Sequence, residues 1–166
     1  AAYGGPQGEV AGIERDSLLG VYRALFPRNV PLDYVHIREL SAGALRPYKL
    51  VILPYPLMLP EASAAAVRAY VQNGGALVAE ARLGWSNERG NASDRIPGMG
   101  LWEVMGCRET DVQTGVRGRT ELRWTAADIL KAGDVLPARW YEETLEPLSP
   151  AARVVADVDL CARRRT

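Results

Sequence analysis

The sequence predicts an α/β fold: a doubly wound, mainly parallel sheet flanked by helices, with antiparallel strands added near the C-terminus. Two near-continuous apolar runs, KLVILP (49–54) and ALVAEA (76–81), are typical of parallel strands that are covered on both faces. An apolar helical face over 60–73 separates them, which gives the strand–helix–strand order of a right-handed crossover. The later part of the chain alternates polar and apolar residues instead, as antiparallel strands do.

The first elements follow from local pattern. Residues 1–12 carry four glycines and a proline, so we expect a glycine-rich N-terminal loop there. A helix is predicted over 14–26, before Pro27, and PLDYVHI (31–37) alternates and predicts a strand. The apolar face of the helix consists of Leu18, Val21, Tyr22, Leu25 and Phe26.

The central helix has recognisable ends. Pro60 suits the first helical position and Glu61 suits the positive end of the helix dipole. Asn73-Gly74-Gly75 is a strong helix stop. After the second apolar strand comes a long polar loop, 83–100.

The last third predicts a short helix in GLWEVMG, ended by Gly106, and strands in TELRWTA, ARWYEETLEP and ARVVADVD. We therefore predict one domain over 13–160 and a tail over 161–166. No strand precedes the first helix, although a doubly wound sheet usually opens with one, so we expect the native polypeptide to continue upstream.

Composition excludes several classes of protein. The formal net charge is zero, which provides no broad field for nucleic acid or an anionic membrane. The N-terminus lacks the features of a signal peptide, so we expect a cytoplasmic protein unless the numbering begins after a removed segment. Cys107 and Cys161 form no disulfide framework, and we expect two reduced thiols.

The residues that carry chemistry are sparse. The strand-end elbow over 80–84 has no Cys, Ser or Thr, and the single histidine, His36, lies upstream on another predicted strand. This argues against a Ser–His or Cys–His nucleophile. One histidine and two scattered cysteines offer no zinc spacing, and no glycine pattern matches a nucleotide loop. We therefore expect no catalytic residue, metal or cofactor.

The polar loop remains as the candidate site. A loop this long inside a compact domain is usually functional or disordered, so two interpretations stay open: a mobile surface loop, and the edge of an interface or cleft. Glu80, just before it, is expected to pair with Arg82 or Arg95. The candidate interface or cleft-edge residues are Arg82, Trp85, Asn87, Arg89, Asp94 and Arg95.

Three stretches carry a resemblance to a known family. They are YKLVILPYPLMLPEASAAAVRAYVQNGGALVAEARLGWSNERG, DRIPGMGLWEVMGCRETDV and WYEETLEPLSPAARVVADVD. Together with LLGVYRALFPRNVPLDYVHI they resemble the β-galactosidase trimerisation domain of family 42 glycoside hydrolases, over roughly 17–159. The resemblance implies a flavodoxin-like or class I glutamine amidotransferase-like fold without the amidotransferase site. It also implies that catalysis belongs to a separate barrel, absent here, and that this domain holds subunits together as a trimer and walls the sugar-binding cleft.

Three functional hypotheses follow. The leading one is a non-catalytic oligomerisation domain of a β-galactosidase-like protein. The second is an amidotransferase-like enzyme of the trehalose-utilisation type, or a small-ligand protein, that uses the crevice at the strand carboxyl ends around Pro54, Tyr55 and Glu80, with Arg82 and Trp85. The third is a carbohydrate-binding module that uses Trp85, Trp102, Trp124 or Trp140.

Overall fold

The computed structural model describes residues 7–40, 43–114, 121–125, 130–137 and 140–158. It divides into two compact units, Ala1–Val104 and Met105–Thr166. The predicted domain bounds of 13–160 stay a prediction, and the predicted tail and Cys161 lie outside the described residues.

The first unit begins with a long helix, α1 (Gln7–Leu25), followed by a 3₁₀ turn, Phe26–Arg28. The helix starts at residue 7, so the second half of the predicted N-terminal loop is helical instead. Asn29 ends the turn in a left-handed conformation with φ 52°, which asparagine tolerates better than most residues.

The predicted strand over 31–37 is wrong. Residues 30–36 have no regular structure and α2 (Ile37–Leu40) follows them. Alternation alone cannot create a strand, because a strand needs a neighbour with free backbone groups beside it. Here His36 instead directly precedes the helix, and its Nδ1 accepts a hydrogen bond from the backbone N–H of Arg38, 3.3 Å away.

The two apolar runs form the predicted parallel pair. β1 (Leu50–Leu53) pairs with β2 (Ala76–Ala79), and α3 (Glu61–Gln72) connects them. α3 contributes buried Ser63, Ala64 and Val67, and the Ser63 hydroxyl donates to the backbone carbonyl of Ile37 at 3.0 Å, which ties α3 to α2. The buried apolar residues of the described part of the chain all lie in this unit: Ile13, Leu40, Leu45, Val51, Leu59, Ala64, Val67, Leu83, Ile96 and Leu101.

The short helix predicted after the polar loop is α4 (Leu101–Met105), at the boundary of the two units. The second unit is then antiparallel, as predicted. β3 (Cys107–Thr114) pairs with β6 (Tyr141–Pro147). β4 (Glu121–Trp124) lies between β5 (Val135–Pro137) and β7 (Ala156–Val158).

The architecture is therefore mixed α/β, with parallel and antiparallel sheets. Within the described residues the antiparallel strands do not extend the parallel pair but form sheets of their own. No helix in the described part of the chain has the length and apolar character that a membrane span requires.

Candidate functional site

The polar loop, here residues 82–100, starts with two left-handed residues. Arg82 has φ 67° and Gly84 has φ 65°, so the chain reverses sharply after β2. It then runs beside the segment after β1. The Gly84 and Ser86 N–H groups donate to the carbonyls of Pro56 and Leu57, at 2.8 and 3.0 Å. The loop is thus held by backbone hydrogen bonds at its base, which argues against the mobile-loop interpretation for this part.

Asn87 organises the tip of the loop. Its Oδ1 accepts hydrogen bonds from the backbone N–H groups of Arg89 and Asn91, both at 3.0 Å, which is the turn that asparagine side chains favour. Its Nδ2 donates to Glu61 Oε1 at 3.1 Å. The side chain is only 9% exposed, so these bonds are largely protected from water. Asn87 therefore fastens the tip to the first turn of α3.

Glu88 makes a second link to the same helix end. α3 has Pro60 at its N-cap position and no side-chain capping bond from it. The Glu88 Oε2 instead accepts from the backbone N–H of Glu61 at 3.0 Å. The pKa of Glu88 is lowered, chiefly because its own backbone N–H and that of Glu61 donate to the carboxylate, with Arg89 adding a smaller effect. A loop residue thus takes the place of the missing cap.

The loop closes where two glycines meet. The Gly98 N–H donates to the Leu83 carbonyl and the Ser93 hydroxyl donates to the Gly84 carbonyl, both at 2.8 Å. A Cβ on Gly98 would collide with that carbonyl and with the Ser93 hydroxyl. Glycine is therefore the residue that this crossing accepts.

The six predicted site residues separate by exposure. Arg82 and Asn87 are buried, and Trp85 is half-buried with the Arg82 guanidinium 5.6 Å from its ring centre. The remaining three, Arg89, Asp94 and Arg95, face solvent. The Arg95 guanidinium also lies 4.4 Å from the ring centre of Trp102, which α4 supplies. Three charged side chains are therefore presented on an anchored loop.

The predicted crevice residues interact with one another rather than with an arginine. Glu80 Oε2 accepts from the Tyr55 backbone N–H at 3.0 Å and from the Ser17 hydroxyl at 2.6 Å. These partners replace Arg82 and Arg95, which the sequence suggested. Tyr55 has φ 48° and, like Pro54, is half-buried. Glu80 thus ties α1 to the carboxyl ends of both parallel strands.

Sequence reasoning did not find a cavity of about 550 Å³ at the opposite, amino ends of β1 and β2. Arg46, Tyr48, Lys49, Tyr70 and Gly75 are among the residues that line it. The Tyr70 hydroxyl donates to the Tyr48 carbonyl at 3.0 Å and forms part of the wall. Its lining comes from two separated segments, so no local pattern could have indicated it.

The described residues offer little that could catalyse a reaction. The pKa of Cys107 is raised, first by burial and then by the nearby Glu143, so the thiol is a poor nucleophile at neutral pH. His36 is exposed, and its Nδ1 accepts a hydrogen bond from the backbone N–H of Arg38 in α2. Within the described ranges, no three His, Cys, Asp or Glu side chains are grouped so that they could hold a metal ion.

Comparisons with known proteins point to one family. Solved structures with a similar fold include the β-galactosidases from Rahnella sp. R3 (TM-score 0.75, 22% identity) and from Bacillus circulans sp. alkalophilus (TM-score 0.74, 22% identity). They cover 93% and 87% of this chain, while this chain spans only 21% of each of theirs. No curated protein sequence matches the chain significantly. The sequence model described as "Beta-galactosidase trimerisation domain" matches residues 9–160. The chain therefore belongs to the β-galactosidase trimerisation domain family of the family 42 glycoside hydrolases.

Proposed function

We propose that this chain is a non-catalytic module that assembles three copies of a β-galactosidase-like glycoside hydrolase. The observation that carries the proposal is the family match, which extends over residues 9–160 and so includes both compact units. Catalysis would reside in a separate barrel of the same protein. The parallel β1–α3–β2 arrangement is consistent with a flavodoxin-like, amidotransferase-like fold for the first unit.

The surface of the first unit supports an assembly role. Several large apolar side chains are exposed on it, among them Phe26 at 60% and Val78 at 52%. Exposed apolar side chains mark interaction sites where they group into a patch. The anchored 82–100 loop adds Arg89 and Arg95, and arginine is enriched among the residues that dominate binding at interfaces.

The loop is also our candidate for the cleft edge. An interface or cleft wall works best when its side chains are held in place before binding, because less conformational entropy is lost on contact. The bonds from Asn87 and Glu88 to the start of α3 provide that support. We propose that the exposed face of the loop borders the sugar-binding cleft of the assembled enzyme.

The small-ligand alternative receives less support. A ligand crevice should offer convergent polar groups that remain open for a ligand. At the carboxyl ends of the strands, Glu80 Oε2 is engaged by Ser17 and by the Tyr55 backbone. The geometry there serves to connect elements of the first unit.

Light scattering over a concentration series tests the proposal. We expect a mass of three chains, and Arg89→Ala should shift the equilibrium toward smaller species because it removes an exposed anchor without breaking the described packing. Arg153→Ala, another exposed arginine, is the matched control and should leave the mass unchanged. Trp85→Ala removes a larger side chain and should shift the equilibrium further toward smaller species. Thermal unfolding of this variant verifies that the loop is intact. A single-chain mass at every concentration would contradict the proposal.

A further inference from the structure

The cavity at the amino ends of β1 and β2 exists because small residues line it. Ala66 and Ala69 face it from α3, and Gly74 and Gly75 follow at the end of that helix. The Tyr70 ring lies directly over Gly75, where a Cβ would collide with it. The volume of about 550 Å³ lies within the range of about 300–1,000 Å³ that is typical of small-molecule sites. We call this space the amino-end cavity.

The inner wall of the amino-end cavity is apolar and held in place. Leu40 and Leu45 line it and are only 5% and 4% exposed. The Tyr70 hydroxyl donates to the Tyr48 carbonyl at 3.0 Å, which ties the helix side of the wall to the segment before β1. Ligand sites typically combine such an apolar wall with a few polar groups that select the ligand.

Two cations supply the polar groups. Arg46 and Lys49 both line the cavity and are exposed, and neither side chain forms an ion pair or a hydrogen bond with a described residue. No Asp or Glu is among the described residues that line the cavity. Asp33, an acid next to Tyr48, already accepts a hydrogen bond from the Tyr48 hydroxyl at 3.2 Å. Two uncompensated cations beside one cavity favour an anionic ligand.

We propose that the amino-end cavity binds a small molecule that carries an oxyanion, a carboxylate or a phosphate, on an apolar body. The planar donor fork of Arg46 matches two oxygens of either group, and Lys49 supplies a second positive charge. The apolar body lies against Leu45 and Tyr70. The site is at the opposite end of β1 and β2 from the crevice at the strand carboxyl ends, and the proposal does not depend on the assembly function.

Calorimetric titration with three probes tests the class of ligand. Phenyl phosphate and phenylacetate carry different oxyanions on the same ring, and 2-phenylethanol is the neutral control. We expect both anions to bind the 166-residue chain with a dissociation constant of about 1 mM or below, and the alcohol to bind at least about tenfold more weakly. Salt should weaken the binding of both anions, because the two cations are exposed. Anions that bind no more tightly than the alcohol would overturn the inference.

Substitutions in the lining locate the binding. Arg46→Ala and Lys49→Ala should each weaken the tighter anion by about tenfold, whereas Arg23→Ala, at an exposed arginine of α1 outside the cavity, should not. Ala69→Leu fills the apolar part without changing a charge and should also weaken binding. Its matched control is Ala62→Leu, at an exposed position of the same helix outside the cavity. Circular dichroism verifies that each variant is folded, and an affinity that survives both cation substitutions would overturn the inference.

The complete polypeptide of the proposed parent enzyme is the second system, because its other segments are an alternative occupant of the cavity. The affinity of the tighter anion is compared there between the wild type and Arg46→Ala. A loss of affinity as large as in the 166-residue chain supports a ligand site. A loss that disappears means that another part of the polypeptide fills the cavity, and this result would overturn the inference. Neither outcome depends on the number of assembled chains, so light scattering tests the proposed function separately.

Discussion

Removing the Asn87 side chain is the sharpest test of the anchored loop. Asn87→Ala deletes three hydrogen bonds, two from the backbone N–H groups of Arg89 and Asn91 and one to Glu61 Oε1. Each is worth about 1 kcal/mol net. Asn87 itself is only 9% exposed, but Arg89 and Asn91 are exposed and their backbone N–H groups can bond to water once the side chain is gone, so we expect a loss of about 2 kcal/mol in the free energy of unfolding. Asn91 is an exposed residue of the same turn that contributes only its backbone to the bonds with Asn87, so Asn91→Ala should change the free energy of unfolding by less than about 0.5 kcal/mol.

Urea unfolding followed by circular dichroism measures the difference, and hydrogen exchange at the Arg89 and Asn91 amides measures the loop directly. Both amides should exchange faster in Asn87→Ala. Asn87→Asp keeps the two acceptor contacts but replaces the amide donor with a carboxylate opposite that of Glu61, so it should be less stable than the wild type because the third hydrogen bond is lost and the two carboxylates repel each other. If Asn87→Ala is as stable as Asn91→Ala and its amides stay protected, the loop is not held in the way we describe.

Two further predictions concern neighbouring features. Gly98→Ala should destabilise the chain by at least about 2 kcal/mol in thermal or urea unfolding, because its Cβ would enter the closed crossing of the loop. Gly20 lies inside α1 and no atom is near the Cβ that alanine would add, so Gly20→Ala should instead stabilise the chain by about 0.5–1 kcal/mol. The test is whether the two substitutions change the free energy of unfolding in opposite directions. Glu88→Gln should lower stability relative to the wild type at neutral pH. The pKa of Glu88 is lowered from 4.5 on folding, so its contribution is present above that value and is lost as the pH falls through the folded pKa. Urea unfolding at a series of pH values should therefore show that the difference in stability between Glu88→Gln and the wild type vanishes in acid. A stability difference that persists in acid would contradict the capping role. So would a difference at neutral pH equal to that of Glu103→Gln, at an exposed position.

Much of the fold was readable from sequence because some signals are local. The apolar runs of β1 and β2, the apolar face of α3 and its glycine stop act within one element, and each was predicted within one or two residues of its observed ends. The segment 31–37 shows the limit of such reasoning. Its alternation was as good as that of a real strand, yet no neighbour pairs with it among the described residues.

The candidate site depends more on tertiary contacts. From its length and composition the polar loop could be a mobile surface loop or the edge of an interface or cleft, and the sequence left both interpretations open. The family resemblance that the comparisons confirm came from stretches along most of the chain. The sequence could not show that Glu88 caps a helix 27 positions earlier, or that Ser17 reaches Glu80 across 63 positions. A carboxylate in a sequence carries no information about which distant N–H or hydroxyl will meet it.

The sequence by itself therefore determined the type and order of most elements, and with them the family. Only the tertiary structure decided which surfaces remain uncovered. Leu50 and Val78 lie in strand segments that read as buried, and the register of β1 against β2 places them on the same open face. Burial is a property of what packs on an element, and that partner is specified by the arrangement of the whole chain.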